Sequence, residues 1–143
     1  EVRALAKSLG LPESVYNRAP FPGPGLFIRV LGIPATPDNL GIVQWADART
    51  REIFAKHGLI KKISQPVIAY AGLDTVGVKG DKRVYKGAVL IRAVRTRDFM
   101  TAEGLWLPKK VVEEIKKVVT AHSEIVRVWF DPTDKPPGTT EFE

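Results

Sequence analysis

Arg18 stands immediately before APFPGPG (19–25), and Lys135 opens KPPGTTE (135–141). Proline fixes φ and removes a backbone donor, while glycine permits positive φ and close backbone approach. Neither segment can be helix, and as a strand each would lack ladder donors. Each is a stiff, shaped loop that presents one cation. Arginine offers a planar fork and lysine a compact point charge; converging on one spot, the two would suit a phosphate monoester. Loops stiffened in advance also lose less freedom when they order around a ligand. The alternative is a pair of solvated surface cations, and these residues alone leave it open.

A second basic group competes. Gly77-Val78-Lys79-Gly80 lies in a stretch that also holds Lys82, Arg83 and Lys86. A GxxG loop clamps nucleic-acid backbone in KH modules, which carry it between two helices. Here it falls between expected strands, so a basic KH-like nucleic-acid-binding α+β module stands as the alternative function. The sequence holds no Walker-type phosphate loop. Its carboxylates form no spacing that demands acid–base or metal chemistry, so no catalytic and no metal-binding residues are assigned. His57 and His122 each fall near the end of an expected helix, where imidazole complements the helix dipole.

Bulk composition bounds the rest. The 143 residues make one domain, 44% hydrophobic and 27% charged, with a net charge of +6 that suggests an anionic partner. Cysteine is lacking, which excludes disulfides and thiolate chemistry and fits a reducing compartment. No apolar run approaches the ~20 residues that span a bilayer. A cytoplasmic location and no membrane contact are expected.

Periodicity gives the elements that must position the two loops. Val2, Leu5, Ala6 and Leu9 recur at helical spacing, and Gly10 followed by Pro12 is a stop. That helix begins at the edge of the chain and Glu1 is no initiator methionine, so a start inside a longer protein is expected. LFIRVLG (26–32) is expected as a strand. Thr36, Pro37 and Asp38 supply an N-cap, a first-turn proline and a first-turn acid. Their helix should reach about Lys56, with Gly58 beyond its end and Val43, Ala46, Ile53 and Phe54 buried. QPVIAYAG (65–72) is a strand, and TVGVK and RVYKGAVLIRAV flank Gly80-Asp81 as a hairpin. After Pro108, Val111, Val112, Ile115, Val118 and Val119 share a helical stripe, with Glu113 spaced to pair with Lys117. VRVWFDP (126–132) is the last strand. The expected fold is α+β: a two-layer sandwich, a mostly antiparallel sheet with two main helices on one face.

Five segments, in order along the chain, resemble the C-terminal domain of the GMP synthase family. They are EVRALAKSLGLPESVYNRAPFPGPGLFIRVLG (1–32), KISQPVI (62–68), TVGVKGD (75–81), RAV-T-DFMTA (92–102) and RVWFD-T-KPPGTTEFE (127–143). PFPGPGL and KPPGTTEFE are the most specific. The resemblance implies an enzyme of purine biosynthesis that converts xanthosine monophosphate (XMP) to GMP. In that family ATP adenylylates the C2 oxygen of the xanthine ring, and ammonia displaces the AMP. A glutaminase domain or subunit makes the ammonia from glutamine. ATP and Mg²⁺ would be bound by an ATP-pyrophosphatase domain whose SGGVDS loop this sequence lacks, with residues 1–25 linking to it. Residues 1–143 would be the dimerisation and XMP-binding domain, inactive as a synthetase alone. Its implied partners are XMP, a second copy and the glutaminase, with no nucleic acid.

Carried over position by position, the implied XMP contacts are Arg18, Gln65, Lys135, Thr140 and Glu141. Arg18 and Lys135, the charge-assisted donors, are expected at the 5′-phosphate. Gln65 both donates and accepts, so phosphate or ribose is open to it. Glu141 would repel phosphate and is expected at a ribose hydroxyl or a neighbouring cation. Phe27 stands where many relatives carry alanine, and Phe142 where many carry tryptophan. Residues 32–62 match weakly, and nothing is carried over from them. VIAYA, AVLIRAV and VRVWF hold more apolar positions than a half-exposed sheet requires. With helices on one face, isologous packing of the other would build a homodimer; an upstream domain is the other candidate cover.

Overall fold

The computed structural model describes residues 2–16 and 18–143. Short helices α1 (Val2–Ser8) and α2 (Glu13–Tyr16) precede the proline-glycine loop. That loop does not pass straight into a strand. Pro24 leaves it with helical φ and ψ of −70° and −2°, and Gly25–Arg29 continue as a 3₁₀ turn. Strand β1 is only Val30–Leu31, so the expected strand over 26–32 is cut to its end by the turn before it.

Helix α3 (Pro37–Lys56) forms as its residues dictate. Thr36 Oγ1 accepts from the Asn39 N–H at 3.3 Å, and Val43, Ala46, Ile53 and Phe54 are all buried. Strands β2 (Gln65–Lys79) and β3 (Lys82–Arg95) make a long hairpin, turned by Gly80 at φ +55° and Asp81. Then come β4 (Glu103–Gly104), α4 (Lys109–Val119) and β5 (Ile125–Phe130). Val111, Ile115 and Val119 are the buried stripe of α4, flanked by half-buried Val112 and Val118. Glu113 pairs loosely with Lys109 at 3.8 Å rather than with Lys117; all three side chains are on the solvent face.

The sheet runs β1-β2-β3-β4, with β5 beside β3. The β2/β3 and β3/β4 pairs are antiparallel, while β1/β2 and β3/β5 are parallel. The fold is α+β as expected, and the long β2/β3 hairpin makes most of the pairing antiparallel, but two parallel pairs make the sheet mixed. The reason lies in the connections: α3 separates β1 from β2 and α4 separates β3 from β5, and a helical crossover returns the chain in the parallel sense.

Strand alternation sorts the two faces. Ile68, Tyr70, Val89, Ile91 and Ala93 join α3 and α4 in the main core, so both long helices lie on one face. Gln65, Val67, Ala69 and Ala71 point the other way, opposite Val94, Arg92, Leu90 and Ala88. Much of this second face is already closed within the chain, since Val67, Ala69 and Ala88 have no exposed surface. Residues 131–143, hereafter the arm, bond to its Gln65 end. Leu90 stays half-buried and Trp129 remains 39% exposed.

The two histidines tie elements together. His57 Nε2 lies 2.7 Å from Glu114 Oε2, bridging α3 to α4, and the His122 ring packs on Trp45 with centroids 4.9 Å apart. Among the described residues no helix is long and apolar enough to cross a membrane.

Candidate functional site

Backbone bonds build the arm onto the sheet. Ala102 and Lys135 exchange N–H···O bonds of 3.0 and 2.8 Å, and the Gly104 N–H donates to Asp134 at 2.9 Å. Position 104 has no room for a side chain: a Cβ there would stand 2.1 Å from the Pro132 carbonyl oxygen. The neighbouring loop, 96–101, is knotted by its own side chains. Asp98 accepts from the N–H groups of Met100 and Thr101, and Thr96 Oγ1 accepts from the Phe99 N–H. Phe99 is held at φ 62°, and its carbonyl accepts from Lys135 Nζ at 2.8 Å. Lys135 is therefore steered by a neutral group. It has no ion pair among the described residues.

Arg18 reaches the same end of the domain. It lines a cavity of about 650 Å³ together with Arg51, Lys61, Arg97 and Phe99. Phe99 thus belongs both to the wall around Arg18 and to the hydrogen bond that holds Lys135. Five basic residues and one acid, Glu13, line this cavity, which makes it attractive to anions. Ser64 and Pro66, on either side of Gln65, are also in its wall. Arg18 has no ion pair among the described residues.

Gln65 and Glu141 touch directly. Glu141 Oε1 accepts from Gln65 Nε2 and from Arg29 Nη2, both at 2.9 Å, and Oε2 accepts from Arg29 Nε at 3.1 Å. The third Arg29 nitrogen, Nη1, lies 3.4 Å from Asp47, whose other oxygen accepts from Arg51 Nε at 2.6 Å. Arg29 is 1% exposed, and a charge so buried persists only when paired on this scale. The Phe21 ring of the proline-glycine loop lies 5.8 Å from its guanidinium carbon. The relay Gln65–Glu141–Arg29–Asp47–Arg51 therefore ends in the wall of the Arg18 cavity. Thr140, half-buried beside Glu141, forms no side-chain hydrogen bond among the described residues. Likewise no hydrogen bond joins Arg18 or Lys135 to Gln65 or Glu141.

A second buried arginine supports the arm. Arg92 Nη1 donates to Asp131 Oδ2 at 3.0 Å and to the Thr133 carbonyl at 2.5 Å. Burial alone would raise the Asp131 carboxyl. Hydrogen bonds from Thr133 and the adjacent Arg92 charge outweigh it and hold the group below its ordinary 3.8. A carboxyl lowered on folding stabilises the fold above the unfolded value, and that gain is lost as pH falls through the folded value. Asp131→Asn should therefore lower Tm at neutral pH and flatten its decline below about pH 4. Melting curves of both proteins across that range check this.

Sequence reasoning missed Arg29, Asp47, Arg51 and Arg92, because none of them stands in an exposed loop. Arg29 and Arg92 sit inside the apolar runs LFIRV and AVLIRAV, where a lone cation must be paired if it is buried, and that is the signal that could have found them. Asp47 and Arg51 carry the i,i+4 spacing of a helical ion pair. The GxxG segment, by contrast, lies in the β2 strand and its turn, and Lys79 donates to the carbonyls of His122 and Ser123.

Fold and site define a mixed-sheet α+β domain with one cationic end, closed by a proline-glycine loop and an arm. The model of the family described as "GMP synthase C terminal domain" matches residues 52–142, and the chain belongs to that family. A subunit of the glutamine-hydrolyzing GMP synthase of Thermococcus kodakarensis is 49% identical over 144 residues, all of this chain and 46% of that protein. Its namesake in Pyrococcus furiosus is 47% identical over 147 residues, again all of this chain and 45% of the relative. The glutamine-hydrolyzing GMP synthase of Nocardia farcinica is 46% identical over 145 residues, 28% of its length. The chain thus spans about half the length of the first two relatives and less of the third.

Proposed function

We propose that this domain holds XMP within a GMP synthase, a ligase that makes GMP from XMP with ATP and ammonia from glutamine. One observation carries the reading: Arg18 lines a basic cavity whose wall includes Phe99, and the Phe99 carbonyl accepts from Lys135, both cations being without a carboxylate partner among the described residues. A 5′-phosphate there would accept an arginine fork and a lysine point charge. Gln65 and Glu141 lie at the same end of β2 and offer acceptors to the sugar hydroxyls. Thr140 adds a hydroxyl beside them.

We assign no ATP or Mg²⁺ site to these residues. No group of three His, Asp or Glu side chains suited to a metal gathers among the described residues, and the sequence has no Walker-type loop. In this reading they belong to an ATP-pyrophosphatase part, and the domain alone makes no GMP. The second sheet face, where Trp129 and Leu90 keep apolar surface, is the surface for a homodimer. The glutaminase, fused or separate, supplies ammonia.

XMP and a short RNA titrated at several salt concentrations, with the domain alone and joined to its ATP-pyrophosphatase part, test the proposal. Saturable XMP binding with a shallow salt dependence is the expected result. RNA binding that falls steeply with salt would replace it with a nucleic-acid function. Binding of neither would leave an interaction domain. Sedimentation of the same samples should give a dimer at micromolar concentration; a monomer would remove the homodimer.

A further inference from the structure

Building on the XMP reading, we propose that Arg29 is the positioning residue of the nucleotide site, making it select ribose over 2′-deoxyribose. Arg29 is too deeply buried to touch a ligand, at 1% exposure. It acts through Glu141. A carboxylate has about four lone-pair positions and no donor. Three are filled, two by the Arg29 Nε/Nη2 fork and one by Gln65 Nε2, which leaves one acceptor position on Oε2.

The fork has two consequences. It cancels the carboxylate charge, so Glu141 can sit 14% exposed near the place proposed for a phosphate. It also fixes the plane of the carboxylate, and Gln65 must answer that plane. Glutamine alone can present either end of its amide. Because Glu141 has nothing to donate, Gln65 turns its NH₂ group to it and keeps its carbonyl oxygen as an acceptor. What remains for a ligand is one acceptor position on Glu141 and, on Gln65, the carbonyl oxygen and one N–H. A phosphate oxygen, an acceptor only, can use just that N–H, whereas two neighbouring hydroxyls can donate to both remaining oxygens and fit. Asp47, on the far nitrogen of Arg29, and Phe21, over its guanidinium, keep the fork from swinging away.

The test compares kcat/KM for XMP and for 2′-deoxy-XMP in a complete synthetase carrying this domain. The wild type should prefer XMP by about 100-fold or more, since a site built for a hydroxyl strongly rejects the analogue without it. Arg29→Lys keeps the charge but cannot form the fork. It should cut that preference at least tenfold, with the loss in KM rather than kcat. Glu141→Gln should cut it similarly, and the double variant should be no worse than the worse single. An unchanged preference in folded Arg29→Lys, or additive losses in the double variant, would overturn the assignment. Should Arg29→Lys fail to fold, Glu141→Gln decides alone, and an unchanged preference there is equally fatal. A wild type that makes GMP but ignores the 2′-hydroxyl removes this inference and leaves the proposed function standing. Failure to bind XMP at all removes both.

Discussion

Lys135→Ala is expected to weaken XMP binding about a hundredfold while leaving Tm almost unchanged. A hydrogen bond to a charged group contributes about 1.5–3 kcal/mol, roughly one to two decades in affinity. Among the described residues the ammonium makes one hydrogen bond, to the Phe99 carbonyl. That bond is exposed, so its loss costs folding little. The phosphate, in the proposed site, loses a full charge-assisted donor. Arg18→Ala should behave alike, because it too has no carboxylate to abandon among the described residues. Calorimetric titration at fixed ionic strength, beside a thermal melt, measures both quantities. XMP affinity left intact in Lys135→Ala would withdraw the phosphate assignment.

Gly104→Ala should act in the opposite order, through stability first. The added methyl would meet the Pro132 carbonyl oxygen at 2.1 Å and its carbon at 2.3 Å, backbone against backbone. No side chain can move aside, so strand β4 or the arm must shift. Overpacking of this kind costs about 1–3 kcal/mol. The shift falls on the residues that carry Lys135, so XMP affinity should drop as well. Gly72→Ala is the natural control, since its new methyl would meet only side-chain atoms of Ile33, Cδ1 at 2.2 Å, Cγ2 at 2.8 Å and Cγ1 at 2.9 Å, rather than backbone. Urea unfolding should find Gly104→Ala the more damaged of the two. Equal losses would mean that the arm gives way as easily as a side chain.

The fold was legible wherever a single local signal decided the outcome. The Thr36-Pro37 cap, the valine stripe after Pro108 and the Gly80-Asp81 turn each gave the element later observed. Parallel pairing of β5 with β3 was hidden because it depends on which edge of β3 is free after the hairpin forms. The turn over Gly25–Arg29 was hidden because LFIRV has the composition of a strand, and the preceding Pro24 set its course. The same split runs through the site. Arg18 and Lys135 stood out beside their loops, whereas Arg29 and Asp47 acquire meaning only when the arm folds back against them.

The Arg29–Glu141 contact joins positions 112 apart in sequence. Closing a loop of that length costs more chain entropy than closing the β2–β3 hairpin, so this contact is expected to form late in folding. Opening runs in reverse. The backbone ladder of the β2–β3 hairpin does not run through the arm, so the arm's amides, Lys135 and Gly138 among them, should exchange with deuterium well before those of Val67 or Val89. Nucleotide affinity would then be set by the fraction of molecules with the arm seated as well as by the contacts themselves, and a temperature far below global melting would be enough to erode it.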